Sequence, residues 1–156
     1  MGEAANAITA FLLFSLFLLS TSAHATEIRY CDKEAEYEVK VHGVEISPNP
    51  IVRGHPVTYN ISASTGKDIA GGKLDIDVAY FGWHIHSETH DLCNETSCPV
   101  STGDFVISYS QVLPIFTPPG SYSLTMKIQD SNKHQLSCIA FDFSIGFGSS
   151  AYVAAS

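Results

Sequence analysis

Between Trp83 and Cys98 the chain reads WHIHSETHDLCNETSC, and this stretch gathers histidines, carboxylates and cysteines that could bind a metal or move a proton. His84 and His86 are two apart, so an extended strand would put them on one face. His90 adds a third imidazole, and three imidazoles with an open fourth position make a zinc site able to activate water. Closeness in sequence does not by itself place three nitrogens around one ion. The expectation is therefore a polar strand end and loop with no metal and no cofactor. The register turns on Gly82. If Gly82 is a bulge, Trp83 and Ile85 turn inward and the histidines turn out. If it is not, His84 and His86 follow Tyr80 inward. The bulge is preferred because it buries Trp83.

Other chemistry finds less support. Glu88 and Asp91 have the types for acid and base roles, but carboxylates in so polar a segment are expected to be solvated. There is no Gly-x-Ser-x-Gly elbow, phosphate loop or dinucleotide fingerprint. An enzyme is not expected. His42, His55, His84, His86, His90 and His134 would gain charge in an acidic compartment, which could loosen a loop or favour a membrane encounter.

Four cysteines, Cys31, Cys93, Cys98 and Cys138, allow three disulfide connectivities. Cys93 and Cys98 are near enough to close a short loop, which would leave Cys31 for Cys138. A four-cysteine zinc site would want two close pairs, and there is one. Disulfides require an oxidising compartment, and the N-terminus agrees. Residues 1–25 read as a signal peptide: Ile8 to Leu19 is uncharged, shorter than the about 20 apolar residues of a membrane span, and followed by Ala23-His24-Ala25. Asn60-Ile-Ser62 and Asn94-Glu-Thr96 are N-glycan acceptor sequons, expected to face solvent. With 8 basic against 16 acidic residues, the chain is not expected to bind nucleic acid.

The elements that must position these groups show a period of two. Val57, Tyr59 and Ile61 alternate with polar residues. So do Leu74, Ile76, Val78 and Tyr80; Phe105, Ile107 and Tyr109; Tyr122, Leu124, Met126 and Ile128; and Ile139, Phe141, Phe143 and Ile145. An earlier strand over Tyr37 to Ile46 changes parity at Gly43, which marks a bulge. Turn signals separate the runs, among them Ser47-Pro-Asn-Pro50 and Pro118-Pro119-Gly120. Six or seven such strands predict an all-β fold, an immunoglobulin-like β-sandwich of two antiparallel sheets. The large inner side chains form either a plain core or the lining of an apolar cavity. Periodicity alone does not separate the two.

Three segments carry a resemblance. VHGVEISPNPIVRG, GGKLDIDVAYFGWHIHSETHDLCNETSCPVSTGDF and PPGSYSLTMKIQDSNKHQLSCIAFDFSIGF together resemble the ML family, lipid-recognition domains related to myeloid differentiation factor 2. The likeness is strongest to plant phosphatidylglycerol/phosphatidylinositol transfer-like members and more distant to the soluble Niemann–Pick type C sterol carrier. That carrier has a third disulfide and a proline-rich segment, and this chain has neither. The resemblance implies a lipid held between the sheets, in residues 26–147, with 148–156 as a flexible tail. It also implies the pairs Cys93–Cys98 and Cys31–Cys138. The lipid-binding residues it implies are Tyr59, Ile61, Ile76, Val78, Tyr80, Trp83, Phe105, Ile107, Tyr109, Phe116, Tyr122, Leu124, Met126, Phe141 and Phe143. Trp83, Pro114 and Phe116 would stand at the entrance. The expected protein is a monomeric, secreted or endolysosomal (vacuolar or apoplastic in a plant) carrier of a sterol or phospholipid that contacts membranes transiently. Alternatives are a lipid-presenting accessory to a protein partner, and a histidine-dependent metalloenzyme.

Overall fold

Alternating apolar and polar residues can satisfy burial and backbone hydrogen bonding together only if strands pair into sheets and the sheets stack. The computed structural model, which describes residues 26–148, has this arrangement. The signal peptide and all but the first residue of the expected tail lie outside the described residues. The strands are β1 (Ile28–Tyr30), β2 (Val39–Ser47), β3 (Pro56–Thr65), β4 (Gly72–Tyr80), β5 (Trp83–Asp91), β6 (Gly103–Val112), β7 (Gly120–Asp130) and β8 (Gln135–Ile145). One helical turn, α1 (Leu92–Glu95), follows β5. A five-stranded sheet in the order β1-β8-β7-β4-β5 faces a three-stranded sheet in the order β2-β3-β6. All pairings are antiparallel.

The expected parity holds on the inner faces. Tyr59 and Ile61 of β3, Ile107 and Tyr109 of β6, Ile76 of β4, Leu124 and Met126 of β7, and Phe141 of β8 are all buried. The bulge expected at Gly43 is present: the β2–β3 ladder skips between Val41 and Gly43, so Val41 and Val44 both face inward.

The segment Trp83 to Asp91 departs from expectation. It is a full strand, not a loop. Gly82 is not a bulge. Phe81 and Gly82 form a two-residue hairpin turn, with φ of 46° and 85°, the backbone that suits a tight antiparallel connection. The bulge lies at Ile85, because Val78 pairs with His86 while Ala79 pairs with His84. Trp83 is consequently 78% exposed and Ile85 53% exposed. A three-stranded sheet is too narrow to cover a five-stranded one. Parity alone cannot bury the tip of a hairpin whose outer strand forms the sheet edge.

The two long edges of the sandwich close differently. On one side Thr26 bridges Val44 through the backbone. The Tyr30 hydroxyl accepts from the Val41 N–H at 2.9 Å and donates to its carbonyl at 3.3 Å. Arg29 forks onto Asp142 of β8 at 2.9 Å twice, and Cys31 is bonded to Cys138. On the other side β5 and β6 face each other with no backbone ladder between them. There Cys93–Cys98 staples the connection, and Asp91 caps α1 by accepting from the Cys93 N–H at 2.8 Å.

The two disulfides span 107 and 5 residues. In the chain-entropy account, opening Cys31–Cys138 by paired Cys→Ala substitution should cost about 5 kcal/mol, and opening Cys93–Cys98 about 2 kcal/mol. Urea unfolding of the two double variants measures the order and the gap.

Candidate functional site

At the end of the sandwich where the β4–β5 hairpin, the β6–β7 loop and the end of β8 meet, the inner faces diverge around a cavity of about 270 Å³. Its apolar wall comes from Val78, Ile85, Val112, Leu113, Pro114, Leu124, Phe143 and Ile145. Tyr59, His86, Gln111, Thr117 and Tyr122 add polar groups. The β6–β7 loop roofs it. Tyr122 donates to the Pro118 carbonyl at 2.6 Å, Tyr80 to that of Pro119 at 2.9 Å, and Arg53 to that of Thr117 at 2.8 Å. Gly120 permits the close packing there: at φ 138° a Cβ would stand 2.8 Å from the Phe81 ring.

Of the fifteen side chains expected to face a lipid, Tyr59, Val78, Tyr122, Leu124 and Phe143 line this cavity. Ile61, Ile76, Ile107, Tyr109, Met126 and Phe141 are buried in the packed interior away from its wall, and Tyr80 and Phe105 are partly buried against that interior. Trp83 and Phe116 stand outside, with Phe116 82% exposed. Pro114, expected at the entrance, lines the cavity. Leu113 and Thr117 were missed because they sit in a loop without periodicity. Ile145 was legible as the last inward position of β8.

The three histidines do not converge. The Ile85 bulge reverses parity between His84 and His86. His84 therefore pairs with Asp77 on the outer face at 2.8 Å, where Ser87 also donates to Asp77 at 2.8 Å. His86 turns toward the cavity flank, to which it contributes. No group of three histidine, cysteine or carboxylate side chains able to hold a metal occurs among the described residues.

His86 and His90 instead join a polar cluster that closes the β5–β6 edge. Glu88 is its centre. The Tyr109 hydroxyl, from β6, donates to Glu88 Oε1 and lies 2.9 Å from the Gln111 side-chain amide. His90 Nε2 is 3.4 Å and His86 Nε2 3.7 Å from Glu88 Oε2, and His90 Nδ1 is 3.0 Å from Glu95. The His90 ring stands edge-on to Tyr109 at 5.3 Å. Burial pushes the Glu88 carboxyl up, but donation by Tyr109 and His90 and the charges of His90 and His86 outweigh it. The result lies below the ordinary glutamate value. Burial, reinforced by Glu88, pushes the Tyr109 phenol far up, so this hydroxyl keeps its proton and remains a donor.

The sequon asparagines sit on the outside of the smaller sheet and its neighbourhood. Asn94 is exposed on α1, whereas Asn60 is half-buried on β3 and accepts from Ser108 at 2.7 Å.

Comparison with known proteins places this architecture. The family model for the ML domain matches residues 25–145. A Dictyostelium discoideum protein named for phosphatidylglycerol/phosphatidylinositol transfer is 32% identical over 137 residues, covering 85% of this chain and 94% of its own length. The MD-2-related lipid-recognition protein ROSY1 of Arabidopsis thaliana is 32% identical over 137 residues, covering 83% of each chain. Among solved structures, a Niemann–Pick type C2 protein from Japanese carpenter ant superposes with a TM-score of 0.61 at 13% identity. It covers 77% of this chain and 99% of its own.

A carboxylate held below its ordinary value stabilises the fold above that value, and the contribution disappears as pH falls through the lower folded value. The protection of β5 amides against hydrogen exchange, taken relative to the intrinsic rate at each pH, should therefore fall as pH drops through and below the ordinary glutamate range. Glu88→Gln should exchange faster at pH 5 and lose most of the pH dependence.

Proposed function

This chain belongs to the ML-domain family, and from that premise we propose that it binds a sterol or phospholipid between its two sheets and transfers it between membranes. The observation that carries the proposal is the apolar cavity at the end of a sandwich whose neighbouring edge, between β5 and β6, has no backbone ladder. At about 270 Å³ it falls just below the about 300–1,000 Å³ typical of ligand pockets. Loading therefore widens it. The β5–β6 edge is where widening costs least, because no backbone ladder has to break.

The driving force is transfer of apolar ligand surface out of water, about 25 cal/mol for each Å² removed. The mouth suits a lipid surface. Phe81, Trp83, Ile115, Phe116 and Phe147 are all exposed around it. Aromatic side chains, tryptophan above all, favour the membrane–water boundary. The loop Leu113–Pro119 and the hairpin tip Tyr80–Trp83 contain no acidic residue in a chain of net charge −8, so brief docking meets little repulsion there. Secretion through the N-terminal signal, glycans on Asn60 and Asn94, and action in the apoplast, vacuole or endolysosome complete the reading. The two disulfides suit those compartments.

Native mass spectrometry of the secreted protein should find about one lipid per chain, released on denaturation. A protein that holds none and takes none from liposomes would defeat the proposal. Val78→Trp, which fills the cavity from its wall, should lower lipid uptake at least about tenfold while the circular dichroism of the sandwich persists. The double variant Trp83→Ser, Phe116→Ser should slow vesicle-to-vesicle transfer severalfold and leave equilibrium binding of detergent-dispersed lipid unchanged.

A further inference from the structure

Of the tyrosine hydroxyls among the described residues, all but one are engaged. Among the described residues, Tyr30 holds Val41, Tyr80 and Tyr122 hold the Pro118–Pro119 carbonyls, Tyr109 holds Glu88, and Tyr37 accepts from Gln135 at 3.5 Å. Tyr59 is 1% exposed and lines the cavity, yet its hydroxyl has no hydrogen-bond partner among the described residues. The hydroxyl opens onto that space and is not sealed in the packing, so whatever fills the cavity meets it directly. The ring has no freedom to seek a partner. It stacks on Tyr109 at 5.6 Å and packs against Phe141 and Phe143 at 5.9 and 6.0 Å. Burial pushes the phenol up, so the group stays neutral and can both donate and accept.

The other polar side chains on the cavity wall each have at least one partner. Thr117 donates to the Pro114 carbonyl, Gln111 serves Tyr109, Tyr122 serves Pro118, and His86 faces Glu88. Among the polar side chains of this wall the Tyr59 hydroxyl is thus the one with no partner within the described residues, and it is fixed in place. Solvent admitted to the cavity can serve it, but a pure hydrocarbon that displaces the solvent leaves it bare.

We propose that Tyr59 is a specificity-determining residue, selecting lipids whose buried portion carries a hydroxyl or carbonyl oxygen over lipids whose buried portion is hydrocarbon alone. This rests on the lipid-binding reading above and names the ligand chemistry of that cavity.

The test compares wild type with Tyr59→Phe. The probes are stearic acid and a set of its mono-hydroxy and mono-keto derivatives substituted at successive chain positions, with affinity read by displacement of a fluorescent fatty acid. Wild type should bind at least one substituted chain about tenfold more tightly than stearic acid, the worth of one neutral buried hydrogen bond. Tyr59→Phe should erase that preference, bind stearic acid at least as well, and melt in the ligand-free state no lower than wild type. A preference that survives in Tyr59→Phe, or no preference for any chain in wild type, overturns the inference alone. So does a clear loss of ligand-free stability, because it would mean that the hydroxyl serves the fold. Failure of wild type to bind every probe, stearic acid included, overturns the lipid-binding reading and this inference with it.

Discussion

The unequal width of the two sheets governs this molecule. Five strands face three, so the larger sheet carries at its margins two strands, β1 and β5, that the smaller one cannot fully cover. Each margin must find some other means of satisfying its polar groups and excluding water. β1 reaches the smaller sheet through the Thr26–Val44 backbone bridge and the Tyr30 hydroxyl on both polar groups of Val41, and Cys31–Cys138 ties its end to β8. β5 does so without a backbone ladder to β6, through the side chains gathered on Glu88 and the Cys93–Cys98 staple beyond its end. The β1 edge is bridged to the smaller sheet through backbone groups, and the β5 edge is a seam.

That asymmetry gives the cavity its place. Backbone ladders are cooperative and break only together, whereas a cluster of side chains can be exchanged for water at modest cost. The apolar volume lies beside the seam, toward the end where the hairpin tip and the β6–β7 loop leave large apolar side chains uncovered. The polar cluster has a second consequence. It holds Tyr109 by its hydroxyl, Tyr109 stacks on Tyr59, and Tyr59 faces the cavity. Closure of the edge and the shape of the cavity wall are thus joined through two stacked rings.

Tyrosine is used here as a connector with one apolar and one polar end. Its rings fill the interior, while its hydroxyls reach the loops at one end and the β2 backbone at the other. The hydroxyl at Tyr59 is the departure from that pattern, and it coincides with the space where packing stops.

Much of the architecture was legible in the chain itself. Side-chain parity is a local property of extended backbone, so the inward positions of β3, β4, β6, β7 and β8 and the bulge at Gly43 could be read from alternation alone. The disulfide pairing followed from the resemblance, and the structure has it. The Phe81–Gly82 turn stayed hidden because phenylalanine seldom adopts positive φ. With that turn misread, the parity of Trp83, His86 and His90 was misassigned, whereas His84 turns outward and Ile85 reaches the cavity as expected. The cavity was beyond reach for a different reason. Tyr59 and Tyr109 show the same period and the same burial, yet only Tyr59 meets empty space. Periodicity records which side of its own strand a residue faces. Whether anything stands opposite depends on how far apart two sheets lie and where their edges end, and those are set by contacts between residues distant in sequence.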